Sequence, residues 1–148
     1  MRVGELIARK GGVVTTITPD QNVAAAARLL IQHNIGGLPV IAGDGSLSGF
    51  IAERDIVRAV DRHGEDALRL PVQRVMRRPA PVCSTGDALY DVMAMMTRDR
   101  LRHLVVLDGD RTVGVLSVGD MVKHRLEELE TELGVLRDYV AARRGTNL

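Results

Sequence analysis

Two aspartates occupy the same place in two similar segments of the 148-residue sequence. The segments read GFIAERD, Gly49 to Asp55, and GVLSVGD, Gly114 to Asp120. In each, mostly apolar residues that can complete a strand follow the glycine, and the aspartate comes where the next helix should begin. A carboxylate at that place can cap the helix, or it can hold a bound molecule. The pattern leaves both roles open.

The residues three positions before the aspartates bear on this choice. Ser117 and Asp120 approximate a capping box, in which the hydroxyl accepts a hydrogen bond from the helix and the acid reaches back. Ala52 has no hydroxyl, so Asp55 stands where no reciprocal cap is possible. Attraction to the helix dipole, worth about 0.3–1 kcal/mol, still favours an acid there.

The two segments belong to a longer internal repeat. Residues 18–41 align with residues 84–107 without gaps, and their apolar positions coincide. One residue is lost after the hairpins, and the shorter offset carries the first aspartate onto the second. We therefore expect a first repeat with its lead-in over residues 1–64, a second repeat over 65–126, and a C-terminal helical extension over 127–148.

Each repeat predicts the order strand, helix, strand, strand, helix, and therefore an α+β (α/β) fold. Short first strands are expected at residues 13–17 and 81–83, each followed by helix-start residues. Asp44-Gly45 and Gly109-Asp110 predict hairpins between the later strands. A small sheet covered by helices on one face leaves its other face apolar. We expect the repeats to pack sheet to sheet, with pseudo-two-fold symmetry, around a shared cleft.

Composition argues against several classes of function. The net charge of +1 and the aromatic content of 2% are unlike those of nucleic-acid binders. The single cysteine and the four histidines show neither a zinc spacing nor a catalytic constellation, so we expect no metal, no catalytic cofactor and no enzymatic turnover. No stretch approaches the ~18 apolar residues that span a bilayer, and no signal peptide is evident. A soluble, cytoplasmic protein is expected.

The duplicated order of elements, the strand sequences IGGLPV and LRHLVV, and the two Gly-to-Asp segments together resemble the cystathionine-β-synthase (CBS) domain. The resemblance runs from about Arg2 to Leu126. It implies a tandem pair, called a Bateman module, that regulates a partner enzyme or transporter by sensing a ligand. The implied ligand is an adenosine nucleotide (AMP, ADP or ATP), or in some members S-adenosylmethionine or NAD, bound between the repeats.

In the family pattern a Ser or Thr comes three residues before the Asp, which accepts hydrogen bonds from the ribose hydroxyls. An ionised carboxylate can accept both hydroxyls of a cis-diol in short, charge-assisted bonds. The second copy matches the pattern fully with Ser117 and Asp120, whereas the first has Ala52 before Asp55. The resemblance thus implies one complete site, which is the preferred candidate, and one reduced site.

Further candidate contacts follow from the same resemblance, although ordinary surface or core roles also explain these residues. Phosphate contacts are expected just before the second strand of a repeat and at the helix N-termini, and adenine contacts in the first strand. The candidates are Arg102, His103, Gly36, Gly37, Leu38 and Arg54 for phosphate, and Thr16, Ile17, Val82 and Cys83 for adenine.

Apolar residues continue at heptad spacing beyond the second repeat. They follow at intervals of 4, 3, 4, 3 and 4: Val122, Leu126, Leu129, Leu133, Leu136 and Val140. Since pairs of this family commonly form four-repeat discs, the resemblance implies a homodimer; a helix lying on its own module is the alternative. The alternative function is a ligand-free dimeric interaction scaffold, in which Asp55 and Asp120 only cap helices.

Overall fold

The computed structural model describes residues 1–146. In this part of the chain it has five α-helices and two small sheets, the mixed α/β class that the sequence predicts. In chain order the elements are α1 Val3–Lys10, α2 Val23–His33, β1 Gly37–Ile41, β2 Leu47–Ala52, α3 Glu53–His63, the 3₁₀ turns Gly64–Arg69 and Val72–Arg74, β3 Val82–Ser84, α4 Leu89–Asp99, β4 His103–Asp108, β5 Arg111–Ser117 and α5 Val118–Thr146.

The chain divides into two compact units. The first spans residues 1–116 and contains both sheets apart from the last residue of β5, while the second begins at Ser117 and consists of α5. Strands β1 and β2 form an antiparallel pair, and β3, β4 and β5 form the other sheet in that order. The predicted hairpin at Asp44-Gly45 is confirmed, with Gly45 in the left-handed region at φ 88°.

The predicted strand over residues 13–17 is wrong, because only Ile17 forms a bridge to the sheet. The Ile17 N–H donates to the Pro39 carbonyl at 3.1 Å. Proline has no N–H, so the parallel ladder cannot continue backwards along the chain. In the second repeat Val105 takes the place of Pro39, and its N–H donates to the Pro81 carbonyl at 2.8 Å. The ladder can therefore continue, and β3 forms as predicted.

Left-handed residues end the first helix of each repeat and turn the chain towards the sheet. Asn34 follows α2 with φ 51°, and Arg100 follows α4 with φ 53°. At the start of α2, the Asn22 side chain accepts a hydrogen bond from the Ala25 N–H at 2.9 Å. The left-handed residues each lie three positions before a strand, β1 from Gly37 and β4 from His103.

The lead-in of each repeat contacts the other repeat. The Val3 N–H donates to the Asp87 carbonyl at 3.0 Å, and the equivalent Val72 N–H donates to the Gln21 carbonyl at 2.7 Å. Both valines have 0% exposure, and burying such a side chain stabilises the fold by about 1.5–3 kcal/mol. The two repeats are thus tied together by reciprocal contacts of their lead-ins.

These lead-ins also explain the glycine of each Gly-to-Asp segment. A Cβ built on Gly49 would lie 2.7 Å from the Arg77 carbonyl oxygen and 2.6 Å from the Met76 sulfur. At Gly114 it would lie 3.0 Å from the Ile7 side chain. Since the lead-in crosses so close to β2 and β5, a side chain at these positions would displace it.

Buried apolar side chains from helix, strand and lead-in form the core of the first repeat. They include Ala26 and Leu30 of α2, Leu38 of β1, Ile51 of β2 and Val72 of the second lead-in. Among the described residues, no helix is both long and apolar enough to span a bilayer, and no cluster of side chains has a metal-ligand arrangement.

Candidate functional site

The first repeated aspartate lies at the junction of β2 and α3. Asp55 is the third residue of α3, and its Oδ2 accepts a hydrogen bond from the Ala52 N–H at 2.8 Å. Its Oδ1 lies 3.9 Å from Nη1 of Arg58, and the side chain is 15% exposed. Because a carboxylate offers about four lone-pair sites, this one cap leaves Asp55 able to accept further hydrogen bonds.

The second repeated aspartate forms the reciprocal cap that its segment predicts. The Ser117 N–H donates to Oδ2 of Asp120 at 2.9 Å, and the Asp120 N–H donates to Oγ of Ser117 at 3.1 Å. A capping role is therefore present at both aspartates and complete at the second. Capping does not by itself exclude ligand binding, since the carboxylate keeps acceptor capacity.

A cavity of about 530 Å³ opens beside Asp55, where the two repeats meet. The first repeat contributes Gly36, the end of β2 and the start of α3. The second repeat contributes residues 75–77 of its lead-in, Pro81, Arg100, Arg102 and His103. Ligand pockets for small molecules typically have volumes of about 300–1,000 Å³, so the space suits a compact ligand.

The charge of the cavity lining is strongly positive. Five arginines face two carboxylates, those of Glu53 and Asp55. The arginines are Arg54, Arg58, Arg77, Arg100 and Arg102. Guanidinium groups stay charged and present a planar fork that matches phosphate oxygens, so the lining favours an anionic ligand.

Apolar side chains form another part of the same lining. They belong to Phe50, Val75, Met76 and Pro81. The Phe50 ring lies against the His103 imidazole, with centroids 5.4 Å apart. The lining thus combines this apolar wall with arginines and a carboxylate. Such a lining can accept a ligand that has both a flat apolar part and a charged part.

Close packing accounts for the glycine at the entrance to β1. A Cβ on Gly36 would lie 3.0 Å from Nε2 of His103. The Gly36 carbonyl also accepts a hydrogen bond from the Glu53 N–H at 3.1 Å, which ties the start of α3 to the strand. The absence of a side chain at this position keeps the cavity open beside the imidazole.

A second, smaller cavity of about 260 Å³ runs along α3 and shares Asp55 and Arg58 with the first. Its further basic residues are Arg62, His63 and Arg74. Asp55 is the one carboxylate in its lining. The cationic surface therefore continues along α3 from the larger cavity.

The structure brings five of the predicted site residues together on the larger cavity: Gly36, Arg54, Asp55, Arg102 and His103. Arg102 and His103 belong to the second repeat, but they share the lining with the aspartate of the first repeat. Ser117 and Asp120 belong to the second unit, where they form the reciprocal cap of α5.

The remaining predicted residues lie outside the lining of this cavity. Gly37, Leu38, Ile17 and Cys83 are buried, whereas Thr16 and Val82 are exposed. Pro81, the immediate neighbour of Val82, does line it. Burial raises the pKa of the Cys83 thiol to about 11, with a smaller contribution from the charge of Asp87, so the thiol stays protonated at neutral pH.

Sequence reasoning missed three of the lining arginines. Arg58 follows Asp55 by one helical turn, a spacing that places both on one face of α3 and that was visible in the sequence. Arg77 belongs to a short basic pair, Arg77-Arg78, of a kind that is typical of a solvated surface. Arg100 follows α4, and nothing in the local pattern showed that this helix end faces the first repeat.

The chain is similar to known proteins in both sequence and fold. The family model of the CBS domain matches twice, at residues 3–62 and 72–127. A solved CBS-domain protein of Agrobacterium tumefaciens is 36% identical, with a TM-score of 0.79, and the match covers 84% of this chain and 92% of that one. The CBS domain-containing protein YhcV of Bacillus subtilis is 31% identical over 113 residues, which cover 76% of this chain and 79% of its own length.

A further solved relative was determined with a ligand. The CBS-domain protein of Pyrobaculum aerophilum, complexed with AMP, is 26% identical with a TM-score of 0.76. The match covers 88% of this chain and 99% of that protein. On the two family matches, the shared fold and these identities, the chain belongs to the CBS-domain family and carries two CBS domains in tandem.

Proposed function

We propose that this protein is a regulatory, non-catalytic module that binds an adenosine nucleotide in the cavity beside Asp55. The observation that carries the proposal is the cavity of about 530 Å³ in which that carboxylate shares the lining with five arginines. A nucleotide needs an acceptor for its ribose hydroxyls and donors for its phosphates, and these residues supply both. The AMP complex of the Pyrobaculum aerophilum relative supports an adenosine ligand.

In the proposed complex, Asp55 keeps Oδ2 on the Ala52 N–H and accepts ribose hydroxyls with its remaining lone pairs. The phosphates lie against the arginines, with Arg102 and Arg54 from opposite repeats. The base lies against the apolar wall that includes Met76 and Pro81. Every part of the ligand then meets a lining residue of matching chemistry.

The preference for Asp55 over Asp120 differs from the expectation drawn from the sequence. The hydroxyl of Ser117 is engaged in the cap of α5, at 3.1 Å from the Asp120 N–H. The described arginine-rich cavity adjoins Asp55 instead. We retain the Ser117–Asp120 pair as a second proposed site of the same module.

Regulation requires that the nucleotide bind two states unequally, because a ligand shifts an equilibrium only by its differential affinity. The cavity is lined by residues of both repeats. A ligand held there bridges the repeats and can change their arrangement. We propose that this change is transmitted within a cytoplasmic homodimer of the four-repeat disc type to a partner enzyme or transporter.

Titration calorimetry with AMP, ADP, ATP, NAD and S-adenosylmethionine tests the proposal. Binding of at least one adenosine compound, together with the rise in melting temperature that mass action requires, is expected. If none of the five binds at millimolar concentration, the nucleotide proposal fails.

A ligand-free interaction scaffold is the second candidate, and one observation favours it. The apolar residues of α5 are exposed along the whole heptad stripe. In that case the aspartates serve only as caps, and replacing either should lower stability without affecting any nucleotide. An Asp55→Asn variant separates the two functions, because it keeps an acceptor for the cap and removes the charge.

A further inference from the structure

An exposed apolar stripe runs along α5 for most of its length. Its six side chains have exposures between 38% and 56%, although they are Leu and Val. They recur at alternating intervals of four and three, which places them on one face of the helix. The stripe consists of Val122, Leu126, Leu129, Leu133, Leu136 and Val140.

Charged residues flank this stripe in an order that distinguishes a parallel from an antiparallel pair of α5 helices. In heptad terms Leu126 and Leu133 occupy a positions, so Arg125 and Glu132 occupy g and Glu130 and Arg137 occupy e. In a parallel pair of helices a g residue faces the following e residue of the other chain. Arg125 would then face Glu130 of the partner subunit, and Glu132 would face Arg137 of the partner subunit. By symmetry each attractive pair occurs twice.

An antiparallel pair with the same overlap would bring like charges together. There, g faces g and e faces e. Glu132 would meet Glu132 of the partner subunit, Glu130 would meet Glu130 of the partner subunit, and Lys123 would meet Arg137 of the partner subunit. The flanking charges therefore select the parallel orientation of two identical helices.

The present ion pairs of α5 do not oppose this arrangement. Arg125 contacts Glu128 at 3.2 Å and Glu132 at 3.9 Å on its own helix. Exchange of such exposed pairs for intermolecular ones costs little, because each is worth only ~0–1 kcal/mol. The gain from the covered apolar stripe then decides the outcome.

We propose that the α5 stripe binds the α5 stripe of a second copy of this chain in parallel, with Arg125–Glu130 and Glu132–Arg137 pairs between subunits. This inference rests on the proposed homodimer and adds its contact surface and its orientation. The parallel pair brings the C-terminal ends of the two helices to the same end of the assembly.

Charge reversal tests the proposal in the full chain. Glu132→Arg faces Arg137 of the partner subunit, and Arg137→Glu faces Glu132 of the partner subunit, so each single variant repels itself at two symmetric places. Analytical ultracentrifugation should show each dimer weakened roughly four- to thirtyfold. An equimolar mixture of the two variants should form a heterodimer close to wild-type strength, since both facing pairs are attractive again. Asp138→Arg, on the opposite face of the helix, is the matched control and should dimerise as the wild type does.

Circular dichroism checks that both variants keep their helix, and calorimetry with AMP measures nucleotide binding separately. Failure of the mixture to restore dimerisation overturns the proposal, and so does tighter dimerisation of Arg137→Glu, which an antiparallel pair predicts through Lys123. A dimer unaffected by either reversal overturns the α5 contact but leaves a homodimer joined elsewhere. A chain that stays monomeric overturns both, whether or not AMP binds.

Discussion

Replacing Asp55 by asparagine separates the two roles of this carboxylate. In the wild type, Oδ2 accepts the Ala52 N–H at 2.8 Å, and an amide oxygen can accept the same bond. The cap therefore survives in Asp55→Asn. What is lost is the negative charge near the start of α3, worth about 0.3–1 kcal/mol of stability, and the second acceptor oxygen.

For the nucleotide the same change is much more costly. The amide oxygen keeps at most one uncharged lone pair beside the cap, and the NH₂ group cannot accept a hydrogen bond from a ribose hydroxyl. Hydrogen bonds to a charged group are worth about 1.5–3 kcal/mol, so AMP affinity should fall about 10- to 150-fold. Calorimetry measures this loss, and urea unfolding measures the change in stability.

Asp61→Asn is the matched control, because Asp61 lies on the same helix, is exposed and lines neither described cavity. It should leave AMP affinity unchanged. If Asp55→Asn binds AMP as tightly as the wild type does, the diol assignment is refuted. A loss of more than about 2 kcal/mol in unfolding free energy, with affinity retained, would show that the carboxylate is structural only.

Three further outcomes follow from the geometry of the fold. Gly49→Ala should lower the unfolding free energy by about 1–3 kcal/mol in urea titrations, because its Cβ would lie 2.7 Å from the Arg77 carbonyl oxygen. Gly43 has open space around it, so Gly43→Ala should leave the unfolding free energy unchanged. Ser117→Ala removes the hydroxyl that caps α5 and should cost about 1 kcal/mol in the same assay. With its pKa raised to about 11, the Cys83 thiol should react with a disulfide reagent at pH 8 about a hundredfold more slowly than free cysteine, and rates near that of free cysteine would contradict its burial.

The sequence was informative wherever local chemistry determines local structure. Three kinds of feature depend on residues only a few positions apart. They are the helix caps formed by Asp55 and Asp120, the hairpin at Asp44-Gly45 and the capping bond of Ser117. Such features follow from spacing and side-chain type. The missing first strand was also predictable, since Pro39 removes the N–H that the parallel ladder needs.

The composition of the cavity was beyond local reasoning. Arg102 faces the site of Asp55 because the two repeats meet there, and no pattern within one repeat specifies that meeting. The contacts of the lead-ins were equally beyond local reasoning. Val3 of the first repeat hydrogen-bonds to the second repeat, and Val72 of the second repeat hydrogen-bonds to the first. Contacts between distant segments depend on tertiary packing, which periodicity does not encode.

A crystal structure of the protein grown with AMP tests the central claim most directly. We predict the nucleotide in the cavity between Asp55 and Arg102, with a ribose hydroxyl about 2.5–3.0 Å from the Asp55 carboxylate and the phosphate against the arginines. AMP bound at a place remote from Asp55, or a cavity filled only by water at millimolar AMP, would contradict the account.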